Sequence, residues 1–255
     1  MSQNLRSSTG GGRPRNFHGE EYKMRYPLFS CVVPAKGKRS YFAEALDSVM
    51  SQGVEVEVIV QDGDIEPDSG QSDALNKGFA KARGKWLFWL NADDILLPDT
   101  LSMVYTAIVE NPNVEWFAGG TRYIDANGLE IGRKFDKRWH PWLYRHLPVW
   151  TFGPSSFFSR ELWEKHGGLD TSMHYMMDLD LWTRWARLGK RFHVLPDFVW
   201  GFRVHDGSKT TGGRFEVERS VERMRLYERY GIEHKKFWIN LQRLSRLMDG
   251  SYFKR

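Results

Sequence analysis

The sequence predicts an α/β fold, a mostly parallel sheet flanked by helices, with a C-terminal helical extension. Three observations predict it. Apolar, β-rich runs alternate with segments whose apolar residues recur at helical spacing, the signature of strands joined by covering helices. A length of 255 residues suits one large domain with extensions better than two full domains. Hydrophobic residues make up 41% of the chain, enough for a core of that size.

The elements follow in order. Residues 1–25 are rich in Ser, Gly, Arg and Asn and lack an apolar h-region, so a flexible basic arm is expected rather than a secretory leader. Leu28 to Val33 is a short apolar run ended by Pro34, a buried strand. Phe42, Leu46, Val49 and Met50 follow helical spacing, and Gly53 closes that helix. Val54 to Val60 predicts a second strand. The stretch QSDALNKGFAKARG predicts a second helix, with Ser72 as N-cap and Gly84 past its end. KWLFWL is a third strand.

Strand, helix, strand, helix, strand with right-handed crossovers is a nucleotide-binding layout. In such sheets ligands sit beyond the carboxyl ends of the strands. Asp62 and Asp93 both fall at strand ends, so both are expected to line one crevice.

Pro98 to Asn111 predicts a further helix. VEWFAGGTRYID reads as a strand pair or a strand and turn. SSFFSRELWEKHGGLD reads as a strand, a helix and a Gly-Gly stop. MDLDLWTRWARLG is a helix starting near Asp178, with Leu181, Trp185 and Leu188 as its apolar stripe and Gly189 at its end. FHVLPDFVWGFRVH supplies two short strands, and residues 215–230 and 233–248 two charged amphipathic helices. The expected division is therefore an arm at 1–25, a domain at 26–212 and a helical extension at 213–255.

The bulk numbers exclude some classes. One cysteine, Cys31 in an apolar run, rules out a disulfide framework and a cysteine zinc site. No run approaches the roughly 18 apolar residues of a membrane span, so a cytoplasmic protein is the default expectation. A net charge of +5 permits an anionic ligand, an anionic membrane surface or nucleic acid without choosing among them.

The side-by-side carboxylates Asp93 and Asp94 have two readings. Asp is favoured in turns, and Asp94 is placed to cap the helix that follows. Alternatively, hard oxygen ligands at a strand end suit Mg²⁺ or Mn²⁺, ions that keep open positions for phosphates.

The ordered set FSCVVPAKGKRSYFAEALDSVMSQ, VIVQDG, GQSDALNKGFAKARGKWLFWLNADDILLPDTL, YIDANG, GPSSFFSRELWEKHGGLD, MDLDLWTRWARLG and FRVHDGSKT resembles the inverting family 2 glycosyltransferases of GT-A fold. The resemblance covers roughly residues 28–211. It implies transfer of a sugar from a nucleotide-diphosphate donor, UDP-linked in the commonest case, to a hydroxyl on a glycan or a lipid- or protein-linked acceptor, with Mn²⁺ or Mg²⁺ on the diphosphate. Carried over by motif, Asp93 would hold the metal with His205 as a second ligand, and Arg203 would lie near the diphosphate. Asn91, where many members have Asp, would face the donor's ribose or sugar. Asp62 would bind the nucleobase or its ribose, Asp73 sits in a donor-facing segment, and Pro34 and Ala35 begin the first donor loop. Asp178 takes the general-base position, with Met177 where Glu is frequent. Its place at a helix N-terminus favours the anion.

Trp139, Trp142, Tyr144 and Trp150 fall in an aromatic segment that is the natural acceptor region, since sugar C–H faces stack on aromatic rings; packing of a loop onto the sheet is the other reading. A peripheral membrane contact is open for the same segment and for the basic tail. Two rivals remain at this stage. A nucleotidyltransferase would want a denser Gly-rich loop than PAKGKRS. A non-catalytic sugar- or nucleic-acid-binding protein would not need the acids; binding to nucleic acid would weaken steeply with salt.

Overall fold

The computed structural model describes residues 27–37, 39–135, 144, 146–149, 151, 153–207 and 215–232. The arm at 1–25, the candidate acceptor residues Trp139, Trp142 and Trp150, and the second C-terminal helix expected at 233–248 lie outside the described residues, whereas Tyr144 is buried in the core, as the packing reading has it.

The first half runs as expected: β1 (Phe29–Ala35), α1 (Phe42–Met50), β2 (Val56–Asp62), α2 (Gln71–Lys81) and β3 (Trp86–Trp89). There follow β4 (Ile95–Leu96), α3 (Thr100–Glu110), β5 (Trp116–Ile124), β6 (Glu130–Lys134), β7 (Ser156–Ser159), α4 (Arg160–His166), α5 (Met177–Arg187), β8 (His193–Arg203) and α6 (Glu216–Arg229). The sheet order is β2-β1-β3-β7-β5-β8-β4, with β6 also paired to β5. Its β2-β1-β3 part is parallel, as is the β5–β8 pair, whereas β7, β4 and β6 join antiparallel. The architecture is the α/β one expected, with antiparallel strands completing a parallel half.

Strand alternation builds a core on each face. Phe29, Cys31 and Val33 of β1 and Trp86 and Phe88 of β3 pack with Ala45 and Val49 of α1 and Leu101 and Val104 of α3. Val32, Leu87 and Trp89 face the other way, onto Leu75 and Phe79 of α2 and Trp182 and Trp185 of α5. Trp182 stacks on both Trp89 and Trp116, with ring centroids 5.7 and 4.9 Å away. That sandwich seats α5 on the sheet one turn below Asp178. Cys31 fills core space, as expected.

Several local expectations change. β1 continues through Pro34, because Pro34 lies beyond Val32, the last β1 residue paired to β3. Ser72 does not cap α2. Gly70 occupies that position at φ 135°, and the Ser72 hydroxyl points instead to Met173. Gly84 is not a helix stop; α2 ends at Lys81, and a Cβ on Gly84 would lie 2.5 Å from the β1 backbone. Leu188 follows the end of α5 and is exposed rather than part of its buried stripe. VEWFAGGTRYID is one strand, β5, leading into β6, and FHVLPDFVWGFRVH is one strand, β8. Among the described residues no helix is long and apolar enough to cross a membrane.

Candidate active site

Beyond β3 the chain leaves the core through Asn91, and the two carboxylates take different paths. Asp94 is buried and accepts hydrogen bonds from the Asn91 side-chain amide at 2.7 Å and the Arg203 backbone N–H at 2.9 Å. Burial, reinforced by the Asp93 charge, pushes its carboxyl well above the usual carboxylate range. Asp94 does not cap α3; Asp99, at φ 59°, stands at that helix start and its side chain makes no cap bond. Asp93 keeps 39% of its side chain exposed, and its Oδ2 lies 3.2 Å from His205 Nε2. The pair thus consists of a buried acid that fixes the loop and an open acid that faces a histidine.

Arg203 braces this arrangement from behind. Its guanidinium is buried: Nε donates to the Asp93 carbonyl at 2.9 Å, Nη1 to the carbonyls of Asp125 and Ala126 at 3.3 and 3.4 Å, and Nη2 lies 2.7 Å from Glu44. The Tyr41 ring covers it at 4.4 Å and also meets the His205 ring at 5.2 Å. The residue expected at the diphosphate therefore joins the Asp93 loop, α1 and the β5–β6 turn.

Asp62 closes β2, and the strand register sets it beside Ala35, with Pro34 beside Gln61. Arg39 forks onto both its oxygens at 2.8 and 2.5 Å and reaches Asp64 at 2.7 Å. The Arg39 hydrogen bonds hold the Asp62 carboxyl below the usual range. A carboxylate has about four acceptor positions. The fork takes two, and the backbone N–H groups of Asp64, at 3.0 Å, and Ile65 also engage it. Asp73 is engaged with its own turn, accepting from the Ser69 N–H at 2.9 Å and from Lys77 at 3.0 Å.

Asp178 stands in the first turn of α5. Its Oδ1 accepts from the Leu179 N–H at 2.7 Å and its Oδ2 from the Gly153 N–H at 3.2 Å. Burial lifts its carboxyl above the ordinary range, against those two backbone bonds and the Lys134 charge on β6. The helix-start position was expected to favour the anion; removal from water outweighs it. Gly153 comes this close because it has no side chain: a Cβ there would lie 2.0 Å from the Trp89 ring.

The first turn of α2 bridges the two halves of the site. The Gln71 side-chain amide donates to the Asn91 side-chain oxygen Oδ1 at 2.8 Å, and the next residue, Ser72, donates to the Met173 carbonyl and meets Met177 Sδ at 2.8 and 3.0 Å. Asn91 leads to Asp93, and Met177 precedes Asp178. Both acids therefore lie at one end of the sheet, a residue or two from a shared support. Arg39, Gln71 and Gly153 were not singled out from sequence. Only the basic run PAKGKRS hinted at the first.

No group of three His, Cys, Asp or Glu poised for a metal occurs among the described residues. Asp93 and His205 offer one hard oxygen and one imidazole nitrogen. A divalent ion held by so few protein ligands takes its remaining positions from substrate oxygens and water, the usual habit of Mg²⁺ at phosphates. The residues fit that role.

Two layers of helices on this sheet, with acids at its carboxyl end, match the layout of a GT-A fold. The model of the family described as Glycosyl transferase family 2 matches residues 65–163. An uncharacterized glycosyltransferase of Rickettsia typhi is 22% identical over 224 residues, covering 75% of this chain and 69% of that protein. The structure of S. aureus TarS 1–349 in complex with UDP-GlcNAc superposes with a TM-score of 0.54 at 17% identity, over 76% of this chain and 65% of that one. The mannosyltransferase PcManGT from Pyrobaculum calidifontis, in complex with GDP-Man and Mn²⁺, gives 0.56 at 20% identity, over 82% and 66%. This chain spans just under two thirds of either structure's length. The family model thus covers less than half of this chain, and the likeness to glycosyltransferases extends over most of its length.

Proposed function

We propose that this chain is an inverting, metal-dependent glycosyltransferase acting on a nucleoside-diphosphate sugar, UDP-linked in the first instance. The acceptor is a hydroxyl of a glycan or of a lipid- or protein-linked sugar. Asp178 takes the proton of that hydroxyl as its oxygen bonds the anomeric carbon. The bond from that carbon to the diphosphate oxygen breaks on the opposite face, and the nucleoside diphosphate leaves. A general base of this kind contributes about 10²–10⁴-fold. Asp93 and His205 would hold a divalent ion, which when bound would supply charge neutralisation for the departing diphosphate. Asp62, at the end of β2, stands on the side of the nucleoside.

The observation that carries this reading is the bridge through Gln71 and Ser72, which ties the Asp93 loop to the turn that bears Asp178. The donors held by the two superposed structures, UDP-GlcNAc and GDP-Man with Mn²⁺, favour the nucleoside-diphosphate class.

The test is a thermal-shift panel of UDP-, GDP-, CDP- and dTDP-sugars with and without Mn²⁺, since a ligand that binds the folded state raises its apparent stability. A shift for one donor that needs Mn²⁺, followed by turnover of that donor, is the expected result. Equal shifts with and without the ion would remove the metal from the proposal.

A further inference from the structure

We propose that Glu222 of α6 is a positioning residue that holds the turn bearing Asp178 in its working place. This rests on the reading of Asp178 as the base.

α5 begins without a cap of its own, because the residue at its N-cap is Met176, whose side chain accepts no amide bond. The backbone N–H groups of His174, Tyr175 and Met176 converge just before it. One carboxylate satisfies all three: Glu222 accepts from His174 at 2.7 Å, Tyr175 at 2.7 Å and Met176 at 3.0 Å. Glu222 is only 6% exposed, so water does not replace it readily. The Met176 bond is buried and the other two are partly so; a buried N–H left without an acceptor is costly, and loss of all three acceptor contacts loosens the turn.

The same helix also grips the far side of Asp178. Arg229 donates to Asp180 Oδ1 at 2.8 Å, and the Tyr230 hydroxyl to the same atom at 2.9 Å. The first turn of α5 is thus held before and after the candidate base by residues of one helix and its end, while Ser72 holds Met173 from the α2 side. The inward face of α6, with Glu222 and Leu226, is spent on this contact; Val217, Val221 and Met224 face outward. α6 lies beyond the residues matched to the family, yet it completes the support of the site.

The test uses the full chain and the donor found by the thermal-shift panel. Glu222→Ala should lower kcat by about 100-fold, the loss that a displacement of about 1 Å can produce, with donor KM nearly unchanged. Glu222→Gln keeps one carbonyl oxygen for the amides and should restore most of kcat. Amide exchange in Glu222→Ala should quicken at His174 to Met176 while β1 and β3 stay protected. Unchanged kcat in Glu222→Ala, or unchanged exchange at those three amides, overturns the proposal. If the alanine variant does not fold, Glu222→Gln carries the test: its exchange must rise at one or more of the three amides, and wild-type exchange at all of them overturns the proposal. Asp178→Asn turning over like wild type overturns the base assignment and this proposal together. Faster exchange at the three amides would then mark the Glu222 tie as structural alone.

Discussion

Asp178→Asn keeps the shape of the side chain and removes its capacity to take a proton. With the base contribution at about 10²–10⁴-fold, kcat should fall by that factor, about 3–5 kcal/mol in the barrier. Two opposing effects act on folding. The Asn oxygen keeps the Leu179 N–H, but its NH₂ faces the Gly153 N–H, donor against donor, a loss of about 1 kcal/mol. Against this, the variant no longer buries a charge. Burial raises the Asp178 pKa in the folded state, so the ionised carboxyl costs stability in full above the folded pKa. That cost fades as pH falls towards the unfolded value of about 3.9. The two effects offset, and the melting temperature should move by less than about 4 °C. The assay pairs initial rates of nucleoside diphosphate release with calorimetric donor affinity in Mn²⁺. In the wild type the acid limb of kcat should lie above the ordinary Asp range, because the base must be deprotonated; the variant should lose it. Turnover close to wild type, or a loss of donor affinity that accounts for the whole rate loss, would refute the reasoning.

Other expectations follow from the same contacts. His205→Ala and Asp93→Asn should each weaken Mn²⁺-dependent donor binding by roughly 10- to 100-fold while leaving metal-free binding alone, read by calorimetry. Gly153→Ala drives a methyl into the Trp89 ring, 2.0 Å away, so it should cost about 1–3 kcal/mol and lower both the melting temperature and kcat. Asp170 is partly buried, but Ser172 and Arg229 outweigh that burial and hold its carboxyl down at about 2. Its contribution of about 1–2 kcal/mol is full above an unfolded value of about 3.9 and is lost as pH falls towards 2. Asp170→Asn should therefore lower stability at neutral pH by that amount and flatten the denaturation profile between those pH values.

The first half of the fold was legible because β1, α1, β2, α2 and β3 carry clean periodicities. In the second half VEWFAGGTRYID, with Gly119 and Gly120, reads as a strand pair or a strand and turn, and FHVLPDFVWGFRVH as two short strands. In the structure the glycines let β5 run straight through against β8. A Cβ on Gly119 would meet Val199 at 2.6 Å, and one on Gly120 would meet Phe198 at 2.6 Å, where the register shifts. Asp93 and His205, 112 residues apart, were paired through the resemblance alone, and the chain does bring them together. The Arg39 fork on Asp62 and the Glu222 clamp left no comparable trace. Both join a side chain to a distant partner, and nothing in local spacing encodes such a contact. Among the described residues Trp86, Trp89, Trp116, Trp182, Trp185 and Trp200 are core.

The central claim is that a cation site at Asp93 and His205 and a proton acceptor at Asp178 face one bound sugar. Anomalous diffraction from crystals grown with Mn²⁺ and the donor of the thermal-shift panel tests it most directly. The account predicts a manganese peak between the Asp93 carboxylate and the His205 ring, bridged to the diphosphate, with the sugar's anomeric carbon turned towards Asp178. A peak elsewhere on the chain, or a sugar facing away from Asp178, would contradict it.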